Sequence, residues 1–481
     1  MKRKTQSLRI FQYSLAFLFI LVLGSCYKDK GNYAYNMPIE PKIIGLDTLY
    51  NAMVGDSLII NPTFENIAKE DIECTWEIAV PEAIDPTQYK YVGNSVRTIF
   101  GLQAKLYNAR LTLLNKSNGI KYFHDFKIQG QTEFSKGSLV LSIENGTTQL
   151  SFVKPNGEVQ PRIYEAINLK PLPSIPLSIH YISNKFTGNT PLGYWIVCKN
   201  DGVRINVNNL KQEELKSGTI KDNFFLPPAS IDIGNLQKHE QGVLMGVINN
   251  KFYGGITTTW DQANTYGMFG NYADGDYELS DKFVMLNINN QVSFVGFEKT
   301  RKQFLRFNVY GAPMYFGTQY TVSSTATFDP TNLGLDLLHI VQINNTDIYA
   351  YAKDASGQIF ELKFNVNFNG PFTFTPLHKI AFTNQQILNA ASKIVATRVG
   401  NIFIASGNKV YRYTPINQNL TEIETKFTAD ITMLKLTEDE QSLVVGAGTS
   451  IYYTNITTGS NGTLKEKIDG LPGTSIDMTW R

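Results

Sequence analysis

From about Pro41 the chain runs in short stretches where apolar and polar residues alternate. "KIIGLDTLYNAMVGDSLIINPTF" alternates on both sides of the turn Val54-Gly55-Asp56, and "CTWEIAV" reads as a further strand. "ARLTLLNKSNGIKYFHDFKIQGQ" gives two more strands, broken at Ser117-Asn118-Gly119. Several short strands separated by such turns over about 95 residues predict a small immunoglobulin-like β-sandwich. It is placed at residues 39–133, with Trp76 as its core aromatic.

From about Gly137 the pattern changes to a weak repeat. A turn of Gly, Asn, Asp, Thr or Ser precedes a short strand in "TTQLSF", "DGVRIN", "NKFYGG", "NQVSFV", "GQIFEL", "NKVYRY" and "TSIYYT". The apolar markers Leu150, Val203, Phe252, Val292, Ile359, Val410 and Ile451 stand 53, 49, 40, 67, 51 and 41 residues apart. A mean of about 50 residues suits one four-stranded propeller blade per repeat. The expected fold is therefore all-β: a sandwich followed by a β-propeller over residues 134–481, with seven marks implying seven blades. The 67-residue interval leaves room for an eighth blade or a long insertion. Other all-β solenoids, or a pair of sandwiches, fit the same periodicity.

The residues before Pro41 follow a different logic. Lys2, Arg3, Lys4 and Arg9 precede an apolar run from Tyr13 to Leu23, which leads into Leu23-Gly24-Ser25-Cys26. The run is much shorter than the roughly 20 residues a membrane-spanning helix needs, so it reads as a secretory signal over residues 1–25. Small residues before a cysteine are what lipoprotein processing requires, and Cys26 is the expected lipid-attachment site. The plainer alternative is an ordinary signal that happens to end in a cysteine. Residues 26–38 are polar and aperiodic, as a lipidated tether would be.

Composition narrows the partners. Lys plus Arg total 44 and Asp plus Glu 42; losing the signal removes four basic residues and no acids, leaving 40 against 42. A chain this near neutrality makes no electrostatic case for nucleic acid. Besides Cys26 only Cys74 and Cys198 remain, in segments assigned to different domains. They read as small buried apolar groups with no disulfide framework.

Two stretches carry a family resemblance. Lys28-Asp29 just after Cys26, within "CYKDKGNYAY", resembles the surface-export signal and mature start of a lipoprotein family from Bacteroidetes. The Gly-Asp before a strand, the later Cys-Thr-Trp-Glu strand and the closing hairpin resemble the PKD-like domains at the start of these lipoproteins, and "GSLVLSIENGTTQLSFVKPNG" looks like their first propeller blade. The resemblance implies an outer-membrane address facing the cell exterior. It also implies a role beside SusC/SusD-type TonB-dependent importers, which capture oligomeric nutrients.

No enzyme signature stands out. His124, His180, His239, His339 and His378 are too far apart in sequence for helical or finger-type metal sites. The sequence has no Gly-x-Ser-x-Gly elbow, phosphate-binding loop or dinucleotide fingerprint. No cofactor is expected. Asp274-Gly275-Asp276 fits a tight turn better than a calcium loop, because the remaining ligand pattern is missing. Paired carboxylates from distant blades would escape this search, so a surface glycosidase or lyase stays open as a second class.

The candidate ligand site is "NNKFYGGITTTWDQANTYGMFGNYADGDYELS". Trp260, Tyr266, Phe269, Tyr272 and Tyr277 alternate there with Gly, Asn, Asp and Thr, and no single apolar period buries them all. Rings can cover the apolar faces of sugars while amides and carboxylates meet the hydroxyls; the competing reading is that these rings pack beneath a Gly-rich loop. Tyr194-Trp195 is a weaker candidate, since it leads into the apolar strand "IVCK". The expected function is non-catalytic capture of an oligomeric nutrient, glycan first. Peptide, an iron chelate or a purely structural role beside the importer are the alternatives. Metabolic labelling with a fatty-acid analogue should mark the wild type and not Cys26→Ser; equal labelling of both would remove the lipid assignment.

Overall fold

A computed structural model describes residues 39–81, 85–185, 190–214, 218–255, 268–288, 291–308, 314–315, 321–322, 327–344, 346–367 and 372–481. Cys26, Trp260 and Tyr266 lie outside these residues. The described chain forms two compact units. One holds 39–50 with Ser57–Thr98 and Tyr107–Ile128; the other holds Gln129–Arg481 with Asn51–Asp56 and Ile99–Leu106. Among the described residues no helix is long and apolar enough to cross a membrane.

The first unit holds most of the sandwich. Its five-stranded sheet runs in the order Leu49–Met53, Lys121–Gln131, Leu106–Asn115, Ile72–Ile78, Lys90–Val92. Two smaller pairs join Lys42–Ile44 to Thr63–Glu65 and Ser57–Ile60 to Val96–Ile99. Strand alternation decides which side chains enter the core: Ile72, Cys74, Trp76 and Ile78 point inward, while Glu73 and Glu77 face water. Trp76 is 1% exposed, and its indole N–H donates to the Gly93 carbonyl at 2.7 Å, so the ring's polar atom is satisfied in the core. Cys74 and Cys198 are both buried free thiols, and burial pushes the Cys74 thiol up to about 11.

The second unit is a β-propeller. Among the described residues it holds seven sheets, each an antiparallel meander apart from one short parallel edge strand, Thr321–Val322, on the fifth. The innermost strands are Thr474–Trp480, Pro176–Asn184, Ile233–His239, Leu279–Ile288, Asp336–Gln342, Lys393–Ala396 and Ile431–Leu436. Each packs beside the next, and Ile431–Leu436 returns to Thr474–Trp480, so the ring is closed. The first sheet is built from both ends of the unit: Thr474–Trp480 pairs antiparallel with Ser138–Glu144, which continues into Thr147–Val153 and Val159–Gln160.

Arg481 fastens that seam. Its backbone N–H reaches the Gly137 carbonyl at 3.1 Å, and its guanidinium donates to the carbonyls of Phe134 and Val207 and to Asn208 Oδ1. Gly137 has φ +139°, and a Cβ there would stand 2.4 Å from the Val153 carbonyl oxygen, so the entry to the ring requires glycine.

Apolar clusters fill the space between neighbouring sheets. Leu141, Leu150 and Phe152 of the first sheet meet Ile179, Tyr194 and Ile196 of the second, and Val140 and Met478 of the first meet Val444 and Ile451 of the seventh. The second strand of a sheet is covered on both faces, so Val243–Ile248 and Ser442–Ala447 are buried at every position. Such strands read as continuous apolar runs and not as alternation.

Six of the seven repeat markers fall on the third strand of their sheets, but Val292 lies on a second strand, Gln291–Glu298. "NQVSFV" marks the turn one hairpin too early. Phe304, on the third strand Gln303–Asn308, is the equivalent residue, and it divides the distance from Phe252 to Ile359 into 52 and 55 residues. The 67-residue interval is thus a phase error, and among the described residues it contains no additional sheet.

His180 sits on an innermost strand, where Ser178 Oγ and its Nε2 lie 2.9 Å apart and the charges of Asp477, Lys435 and Lys238 reach it. Burial is the largest cause of its depressed pKa, about 4 against an ordinary 6.5. The unfolded chain therefore binds this proton first. The contribution is complete above about pH 6.5 and is lost as pH falls toward about 4, at a cost of up to about 3 kcal/mol. Urea unfolding at pH 7 and pH 4.5 should show a smaller stability difference for His180→Gln than for the wild type, and an identical difference would show that this histidine is not responsible.

Candidate functional site

In an antiparallel meander the start of the innermost strand, the turn between strands two and three and the link to the next sheet all gather at one edge. That edge, repeated around the ring, makes one face of the propeller. The third sheet has only three strands, so the chain leaving Tyr253 starts at the opposite edge: Gly255, which bridges Phe269, stands beside Val243 and Leu244 at the start of the second strand, and residues 268–278 lead back from there to the first residue of the fourth sheet.

Of the described candidates, only Tyr272 offers its ring to solvent, at 44% exposed. Phe269 is 0% exposed and Tyr277 2%, which corrects the expectation that they face a ligand. The cause is main-chain pairing that Gly-rich composition does not reveal. Phe269 N–H donates to the Asn223 carbonyl and Phe225 N–H to the Phe269 carbonyl, both at 2.8 Å, which seats the Phe269 ring 4.9 Å from that of Phe224. Tyr277 packs against Phe307; its hydroxyl donates to the Ala273 carbonyl and accepts the Phe252 N–H. Burial raises its phenol pKa far above the ordinary range. Tyr194 and Trp195 are core residues, each 3% exposed.

The same pairing brings up a residue the sequence reading passed over. Phe225 and Leu226 are 54% and 61% exposed, directly after the buried Phe224. Tyr253 contacts Phe224 on one side, at 5.5 Å, and Tyr272 on the other, at 5.9 Å. Exposed Phe225 and Tyr272 are thus carried by adjoining stretches of chain on a common buried base. The doublet Phe224-Phe225 in "NFFLPPAS" was the available signal, because neighbouring residues in extended backbone point to opposite sides.

Asp274-Gly275-Asp276 forms a turn. Gly275 N–H donates to Asp274 Oδ1, and Asp276 pairs with Arg301 at 2.5 Å. Among the described residues no three His, Cys, Asp or Glu side chains are grouped to hold a metal ion.

Two cavities open at the edge where the innermost strands begin. One of about 180 Å³ lies among Lys199, Asp232, Asn250, Asp281 and Lys299, with Lys199 and Asp232 paired at 2.6 Å. The other, of about 510 Å³, is lined by Asn389, Ser392, Lys393, Asp430 and Thr432 over an apolar floor that includes Leu177 and Ile431. A third cavity of about 420 Å³ lies among the innermost strands, where Gln237, Met285, Gln342 and Lys435 meet. Lys435 pairs with Asp477 at 2.7 Å, and Asp477 also accepts the Ile179 N–H.

Burial separates the two kinds of aromatic residue in energy. Phe269→Ala should cost about 3–5 kcal/mol by opening a cavity, whereas Tyr272→Ala should cost well under that. Thermal or urea unfolding of the two variants checks this; equal losses would mean that Tyr272 is also a core ring.

Residues 26–176 match the PKD-like family, a span that covers the sandwich and the three strands that the N-terminal side contributes to the first propeller sheet. No curated protein matches the chain. Among solved structures, the chain is similar to a quinonprotein alcohol dehydrogenase-like protein from Bacteroides thetaiotaomicron, at 12% identity and TM-score 0.42, over 92% of this chain and 99% of that one. It is also similar to the β-propeller domain of Myceliophteria thermophila Cps50 (Swd1), at 8% identity and TM-score 0.39, over 62% of this chain and 87% of that one. The propeller assignment rests on the chain's own strand order and ring closure, and the N-terminal third carries the match to the PKD-like family.

Proposed function

We propose that this chain is a non-catalytic surface lipoprotein, anchored in the outer membrane through Cys26, whose propeller captures an oligomeric nutrient for a SusC/SusD-type importer. The ligand of first choice is a glycan. The observation that carries this reading is the pair of exposed rings, Phe225 and Tyr272, carried on one buried aromatic base of Phe224, Tyr253 and Phe269. A flat ring stacks on the apolar face of a sugar, while nearby amides and carboxylates meet its hydroxyls. Asn271 and Asp274, both exposed beside Tyr272, supply such groups.

The address is supported by the lipobox Leu23-Gly24-Ser25-Cys26, by Lys28-Asp29 after it, and by a PKD-like match that begins at Cys26 itself. The importer subunits enter through the resemblance of the mature start to Bacteroidetes lipoproteins.

Calorimetry with a panel of neutral and acidic oligosaccharides, run on the mature protein, tests the binding reading. Wild type should bind at least one oligomer without shortening it. Tyr272→Ala and Phe225→Ala should each weaken that binding by roughly fivefold or more, the equivalent of about 1 kcal/mol per aromatic contact, with little change in melting. Shortened products would replace the binder with an enzyme. Unchanged affinity in both variants would move the site elsewhere on the ring.

A further inference from the structure

The 510 Å³ cavity lies where the second, sixth, seventh and first sheets present the first residues of their innermost strands: Pro176 and Leu177, Lys393, Ile431 and Thr432, and Ile476. Its volume falls within the roughly 300–1,000 Å³ of small-molecule sites. The lining combines an apolar floor with an amide (Asn389), a hydroxyl (Ser406), a carboxylate (Asp430) and one ammonium (Lys393).

Lys393 is the unusual member. It is solvent-exposed, and its pKa is lowered, first by nearby protein displacing water and then by the positive charge of Lys282, while Asp477 acts in the opposite sense. Lys282 has its own carboxylate, Asp281, at 3.0 Å. Lys435 has Asp477. Among the described residues no carboxylate stands within ion-pair distance of Lys393. His339, another titratable group near it, is hydrogen-bonded to the Asn389 carbonyl at 2.6 Å, and burial lowers its pKa, which favours the neutral ring.

An accessible ammonium with no carboxylate in ion-pair range, set in the wall of a concave cavity, is available to an anion from solution. The cavity around it mixes polar and apolar groups. Its acceptors Asp430 and Asn389 suit hydroxyl donors, and its floor suits a ring face. Building on the glycan reading above, we infer that this cavity binds an acidic sugar residue, with the carboxylate or sulfate ester against Lys393 and the hydroxyls toward Asp430 and Asn389. The aromatic shelf and this cavity then sort a ligand by two different properties: the shelf accepts any pyranose face, and the cavity selects charge.

The test is calorimetry on the mature protein with two matched pairs of probes and one neutral oligomer. Oligogalacturonate against its methyl ester isolates the carboxylate; chondroitin 6-sulfate oligomers against unsulfated chondroitin isolate the sulfate; maltohexaose carries neither. In at least one pair the charged member should bind at least tenfold more tightly, with the pair identifying which acid is read. Lys393→Met should abolish that preference and Lys393→Arg should retain it, both with wild-type melting. Equal binding of charged and uncharged members, or a preference that survives Lys393→Met, overturns the inference and leaves the glycan reading standing. Absence of binding to all five probes overturns both.

Discussion

Everything in the larger unit depends on one pairing, that of Thr474–Trp480 with Ser138–Glu144. A ring of sheets has no hydrophobic core of its own at the centre; its apolar groups lie between neighbours. Leaving one junction open would expose Val140, Met478, Val444 and Ile451 on one side, and would leave the edge of Ser138–Glu144 with unpaired backbone groups. The chain closes the junction with backbone hydrogen bonds and then ties it with Arg481, whose guanidinium spans Phe134, Val207 and Asn208. Closure also fixes where every innermost strand begins, and hence the geometry of the face on which the 510 Å³ cavity opens.

Much of this architecture can be read from the sequence because strands leave a direct imprint. Ile72, Cys74, Trp76 and Ile78 alternate with polar residues because one face of their sheet is wet, and Trp76 could be named as core before any coordinates. The propeller repeat was visible for a related reason: the turn before each third strand needs Gly, Asn or Asp. It went out of phase at Val292 because the sequence "INNQ", between first and second strands of the fourth sheet, has the same composition as the turns that separate second from third strands. Turn chemistry marks that the chain reverses. It does not say which reversal of the four-stranded unit is being marked.

The candidate site was less legible. Phe269, Tyr272 and Tyr277 occur in one Gly- and Asn-rich stretch, and nothing in their immediate neighbours distinguishes the exposed ring from the buried two. The difference comes from partners more than 20 residues away: Asn223 and Phe225 for Phe269, Phe252 for Tyr277. Irregular links have no fixed period, so the direction of each side chain is set by long-range pairing. Lys393 was hidden for the opposite reason. It opens a regular strand, where a lysine ordinarily marks an exposed end, and only the convergence of several strands gives it neighbours of like charge.

The seam at Thr474–Trp480 also governs the order of events in biogenesis. The strand that completes the first sheet follows its partner Ser138–Glu144 by some 330 residues, so it is made after every other described strand of the ring. Until it joins, Ser138–Glu144 is an open edge and the ring is unfinished. Closure is thus one contact of very long sequence range, the kind that forms slowly and leaves a strand edge exposed while it waits.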